Sequence, residues 1–257
     1  MSRYKTIKRA FLVLALILLP LTQISAITDS RFETGNQYYA EGQYESAIEL
    51  YEEILKSGME APELYYNLGN AYYRQALLPA AILNYERALL LAPHDSDIRY
   101  NLSLAYGQIT DKIEPVGVFF LTRWFSGFRN NTDSDTWALI SIAAFVVVLT
   151  CLLIFFFSQR SNFRKLAFFA GIVALLISIT TFTYSHQQKQ HLQNRNRAIV
   201  FSPSVTVRSA PEAGGTELFV LHEGVRVKLI QELNNWYEIQ LEDGSTGWMH
   251  AEHLEII

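Results

Sequence analysis

From residue 28 to about residue 110 the apolar positions recur every three to four residues, the spacing of helices with one buried face. Turn-forming residues interrupt the pattern and predict helices over 30–41, 44–57, 62–75, 78–91 and 96–110. Further along, periodicity gives way to continuous apolar runs. Trp137 to Phe157 is 21 residues without a charge, and Leu166 to Tyr184 is 19. At about 1.5 Å per residue, each can cross a hydrocarbon core of roughly 30 Å as a helix. After residue 198 the pattern alternates, and Glu223-Gly224, Asn234-Asn235 and Glu242-Asp243-Gly244-Ser245 break it into five or six antiparallel strands. The fold class expected is a multidomain membrane protein, with an all-α layer, a two-helix transmembrane hairpin and a small all-β barrel.

The all-α layer repeats with a period of 34: Gly35 recurs as Gly69, Asn36 as Asn70, Tyr38 as Tyr72, Ala47 as Ala81 and Tyr51 as Tyr85. Gly and Ala at fixed points let paired helices approach closely, and the tyrosines wedge between them. Leu68-Gly69, Tyr72, Ala81, Tyr85, Ala88 and Pro93 resemble the tetratricopeptide repeat. On that reading 28–114 is a tetratricopeptide (TPR) solenoid with repeats at 28–61 and 62–95 and a half repeat at 96–110. Ser103 stands at the third glycine position, as in a terminal capping helix. A peptide groove would be lined by Phe32, Asn36, Tyr39, Tyr66, Asn67, Asn70, Tyr73, Arg74, Tyr100 and Asn101; the alternative is that these side chains only solvate the stack. Repeat domains that clamp a terminal carboxylate use lysines where Phe32 and Asp97 stand, so the resemblance does not extend to that activity.

The last 60 residues form a second recognisable unit. Val205-Thr-Val-Arg-Ser-Ala-Pro211, Glu223-Gly224 before Val225-Arg-Val227, Asn235-Trp-Tyr237 and Gly247-Trp-Met249 resemble the bacterial SH3-like domain, a binding module for cell-wall peptides or neighbouring proteins. Its core is expected to hold Val207, Leu218, Val227, Leu229, Trp236, Ile239 and Trp248. Tyr237 and Trp248 are its candidate binding surface.

Charge divides the chain in the same places. The net −4 resolves into +4 over residues 1–27, −8 over 28–114, +6 over 115–197 and −6 over 198–257. Two acidic modules flank a basic, apolar centre, and neither has the positive surface that nucleic acid requires. Arg3, Lys5, Lys8 and Arg9 precede a short apolar run and Ala26, so 1–26 reads as a secretory signal peptide or a retained N-terminal anchor. Residues 115–136 read as an amphipathic juxtamembrane segment lying against lipid, or alternatively packed on the last repeat helix. The spans at 137–157 and 166–184 are then joined by a cytoplasmic loop at 158–165, carrying Arg160, Arg164 and Lys165. A polar stalk at 185–197 leads to the SH3-like domain at 198–257. Both soluble domains are thereby expected on the periplasmic side.

No catalytic chemistry stands out. Cys151, the single cysteine, lies in an apolar run, and His250 and His253 sit at a strand end rather than on one helix face. Neither span carries the charges of a transport pathway. No cofactor, metal or enzymatic activity is expected. The order of signal, repeats, an Asp111-Lys-Ile-Glu-Pro115 junction, hairpin and SH3-like domain resembles the BatE family of the bacterial aerotolerance operon. That resemblance implies an inner-membrane protein whose companions are von Willebrand factor A domain membrane proteins, with a proposed role in aerotolerance or envelope stress. The expected function is a non-enzymatic scaffold for protein partners; the alternative is a cell-wall sensor whose SH3-like domain binds peptidoglycan.

Overall fold

The computed structural model describes residues 29–114, 117, 134–193 and 196–257. The expected signal or anchor and all but a few residues of the juxtamembrane segment lie outside the described residues. Two compact units emerge, one containing the apolar hairpin and the other containing both the repeats and the C-terminal sheet.

In the second unit five helices follow the predicted order: α1 (Ser30–Ala40), α2 (Tyr44–Lys56), α3 (Pro62–Arg74), α4 (Leu78–Leu91) and α5 (Ser96–Gln108). Asp29 caps α1 through the Arg31 N–H, and Asp95 caps α5 through the N–H groups of Asp97 and Ile98. Each such cap contributes about 1 kcal/mol. Pro62 starts α3, where the missing N–H costs nothing. Adjacent helices pack as successive hairpins around Ala47, Tyr51, Leu64 and Leu68, then around Ala81, Tyr85, Ile98 and Leu102. The close approach expected at the repeat glycines is present. A Cβ built on Gly35 would stand 2.6 Å from the Tyr51 ring, and one on Gly69 2.8 Å from the Tyr85 ring.

The C-terminal sheet has seven strands among the described residues: β1 (Arg197–Val200), β2 (Ser204–Arg208), β3 (Glu217–His222), β4 (Arg226–Leu233), β5 (Trp236–Gln240), β6 (Thr246–His250) and β7 (Leu254–Ile256). Their order is β3-β2-β6-β5-β4-β1-β7, all paired antiparallel. This corrects the expected barrel: β3 and β7 end the sheet without pairing to each other, so it does not close. The core also differs. Val207, Val227 and Ile239 are buried, joined by Met249, whereas Leu218 is exposed and Trp236 and Trp248 are only half-buried. The pleat explains the exchange. Met249 shares the inner face with Ile239 and Val207, and the neighbouring Trp248 must point the other way.

The hairpin unit contains α6 (Ser134–Phe157) and α7 (Ser161–Gln193), both long and apolar enough to cross a membrane. Only residues 158–160 lie between them. α7 runs on to Gln193 through a stretch free of Gly and Pro, so the stalk expected at 185–197 begins as helix. The helices meet along a seam whose positions alternate four and three apart: Trp137, Ser141, Ala144, Val148, Cys151 and Phe155 on α6, then Ala167, Gly171, Ala174, Ser178 and Thr181 on α7. That 3.5-residue period is the coiled-coil repeat. In lipid, which offers no hydrophobic drive for association, small residues and interhelical hydrogen bonds would supply it. Ser141 Oγ donates to the Ser178 carbonyl at 2.9 Å and Ser178 Oγ to the Ser141 carbonyl at 3.0 Å. Trp137 packs edge-on against Tyr184 at 5.4 Å.

Two substitutions test the repeat register in opposite directions. Gly69→Ala drives a methyl into the Tyr85 ring and should destabilise the repeats by about 1–3 kcal/mol. Ala76 holds a φ of 60°, at the position equivalent to Gly42 with a φ of 80°. Ala76→Gly should therefore raise stability by up to about 1 kcal/mol. Thermal unfolding followed by helical circular dichroism separates the two; equal midpoints would refute the assigned register.

Candidate protein-binding site

The candidate groove residues come from α1, α3 and α5, the first helices of successive repeats, and the structure divides them into three groups. Phe32 is buried beneath α1 and packs on Tyr51 at 5.9 Å, so it belongs to the core. Its equivalent one repeat on, Tyr66, is half-buried and packs on Tyr85 at 6.1 Å. The third equivalent, Tyr100, is 64% exposed.

The asparagines are occupied by one another. Asn36 Oδ1 accepts from the Tyr51 hydroxyl at 2.7 Å and from Asn67 Nδ2 at 2.8 Å. One repeat later Asn70 Oδ1 accepts from Tyr85 at 2.8 Å and from Asn101 Nδ2 at 2.8 Å. The unit is thus a carbonyl receiving one donor from its own repeat and one from the next. Asn101 Nδ2 also donates to the Tyr66 hydroxyl at 3.0 Å. A buried amide costs free energy unless bonded, so this ladder holds the helices in register.

The third group faces outward. Tyr39 meets Tyr44 edge-on at 5.3 Å, and the Arg74 guanidinium lies 5.1 Å from the Tyr44 ring centre. Tyr73, half-buried, accepts a hydrogen bond from Gln108. Tyr39, Tyr44 and Arg74 thus form one aromatic and cationic contact set, Tyr73 with Gln108 forms a second, and Tyr100 of α5 is exposed. Tyr44 and Gln108 were not legible as members, since both look like ordinary solvent-facing positions.

A second ladder, also unforeseen, joins Tyr72 to Glu52 and Tyr106 to Glu86, the latter at 2.7 Å. Its 34-residue period is present in the sequence. Its extension is not: Arg226 of β4 donates to Glu86 at 2.6 Å. The hydroxyls of Tyr51, Tyr72, Tyr85 and Tyr106 all titrate well above the ordinary tyrosine value, foremost because they are buried. Glu52 and Glu86 push Tyr72 and Tyr106 further in the same direction.

On the sheet, Tyr237 and Trp248 do not form one surface. Tyr237 pairs with Met249, and Trp248 with Glu238, which puts the two aromatics on opposite faces. Tyr237 donates to Glu232 at 2.9 Å. Trp248 instead shares the outer face with Arg208, Glu238, Trp236 and His250, the last two in edge-on contact at 5.5 Å.

The geometry agrees with what related families show. Residues 35–75 match the TPR repeat and residues 62–95 the tetratricopeptide repeat. Residues 203–255 match the bacterial SH3 domain. No curated protein matches the chain. Repeat stacks of this kind present extended surfaces for other proteins.

The buried tyrosines give the repeats an alkaline limit. Each is neutral in the fold and ionises near pH 10 once unfolded, so its contribution is complete below about pH 10 and is lost as pH rises further. Helical signal should fall together with the final part of the tyrosinate absorbance rise, which the buried tyrosines contribute after exposed ones such as Tyr100 have ionised. Ionisation completed with full helicity retained would contradict the burial.

Proposed function

We propose that the chain is a non-enzymatic scaffold of the bacterial inner membrane, holding protein partners at the periplasmic face. The observation that carries this reading is the outward tyrosine surface with Arg74, left over after the asparagines are consumed by the ladder. Rigid aromatic and arginine side chains are where interface energy concentrates. The acidic balance of residues 28–114, at −8, favours a partner segment with basic residues. The resemblance to the BatE family supports von Willebrand factor A domain membrane proteins as the partner class and an aerotolerance or envelope-stress complex as the setting.

Packing supports the topology. The repeats and the sheet bury a common core, which favours a shared side of the bilayer and an even number of crossings between them. Arg160, Arg164 and Lys165 near the turn of the hairpin favour its cytoplasmic placement. A second reading, a cell-wall sensor, is favoured by the outer face of the sheet. Trp236 and Trp248 there flank Glu238 beside Arg208, in a manner suited to peptidoglycan.

Photocrosslinking residues at Tyr73, Tyr100 and Trp248, in the native membrane, separate the readings. The scaffold predicts discrete protein adducts at 73 and 100. Wall fragments captured at 248, with 73 and 100 silent, would replace it with the sensor. Reporter fusions after residue 110, in the 158–165 loop and after 195 should read outside, inside and outside; an inside result at either end would sink the topology.

A further inference from the structure

The two repeats contain an internal comparison. Glu52 and Glu86 are equivalent residues, each accepting from a tyrosine 20 residues further on. Glu52 keeps 39% of its side chain in water, whereas Glu86 keeps 4%. The C-terminal sheet is what covers Glu86. Ile199 of β1 and the terminal Ile257 share a buried cluster with Ile82 of α4 and Ile98 of α5. The β3–β4 turn presses so closely on the end of the stack that a Cβ on Gly224 would stand 2.5 Å from Ile109 and 3.2 Å from Ile82. Polar contacts ring this apolar centre. Arg87 donates to the Ile256 carbonyl at 2.6 Å, and Asp111 receives the His222 N–H at 2.7 Å.

A carboxylate buried without a cation is strongly destabilising. Cover and cation must therefore arrive together. Both come from the sheet, because Arg226 Nη1 reaches Glu86 while Nη2 reaches Glu242. The flank of the last complete repeat would otherwise present Ile82 and Ile98 to water, the problem that terminal caps solve in repeat stacks.

We infer that the SH3-like domain is the obligate cap of the repeat stack: α4 and α5 keep their packed state only while the sheet is docked, and the two open together as one unit. The whole hairpin separates them in sequence, yet they fold as one body into which the hairpin is inserted. This inference stands independently of the binding reading.

Hydrogen exchange of the full chain in detergent micelles tests it. Arg226→Met leaves Glu86 covered and unpaired, and should raise exchange across α5 by about tenfold or more. Glu86→Gln combined with Arg226→Met removes the stranded charge and should restore protection to within about threefold of wild type. Glu52→Gln, at the solvated equivalent, should leave α5 unchanged. Arg87→Ala, a milder lesion at the same boundary, should loosen α5 and β7 together by a smaller factor, and it decides the matter if Arg226→Met fails to accumulate. Unchanged α5 protection in both Arg226→Met and Arg87→Ala, or loss confined to the sheet, would overturn the cap.

Discussion

Glu86 accepts from Tyr106 of α5 and from Arg226 of β4, and it does so almost wholly out of water. A carboxylate in that position holds three segments to one point, since the loss of Arg226 leaves a buried ion without a cation. Around it the stack ends, the sheet begins and the aromatic wall of Tyr106 meets the Arg226 guanidinium at 5.9 Å. The arrangement makes the repeats and the SH3-like domain a single body rather than two modules on a tether.

That body changes how binding should be viewed. The asparagines of α1, α3 and α5 serve the stack itself: the Asn36 and Asn70 carbonyls each accept from a tyrosine and from an asparagine one repeat on, Asn67 and Asn101 respectively. What remains open for the proposed partner is the outward tyrosines with Arg74. Such side chains lose little entropy on binding and offer large apolar area beside a polar tip. A surface braced from beneath by a hydrogen-bonded ladder is already organised before any partner arrives.

The hairpin answers a different physical demand. Its seam is mostly Ser, Ala, Gly, Cys and Thr, which permit the close backbone approach that, in lipid, would substitute for a hydrophobic drive. Its outer positions, among them Phe145, Leu153, Phe169 and Leu176, are exposed, as a lipid-facing surface would be. Reciprocal bonds between Ser141 and Ser178 fix the register of the two helices.

Periodicity with turn residues placed the five repeat helices, unbroken apolar runs placed the two long helices, and alternation foretold five or six of the seven strands, because local spacing reports which face of each element must be buried. The 34-residue recurrence of Gly35 and Gly69 also foretold where tyrosine rings would press, since only glycine leaves room at such a contact. Tertiary structure decided the rest. Whether Asn36 and Asn70 faced a ligand or the asparagines Asn67 and Asn101 of the following helices depended on the stacking of one repeat on the next, which no single helix encodes. Trp248 yielded the core to Met249 because strand register, set by pairing, flips every side chain with a one-residue shift. The docking of Arg226 on Glu86 joins residues 140 apart in sequence. Its physical cause, a charge that cannot be buried alone, acts only once the chain has folded around it.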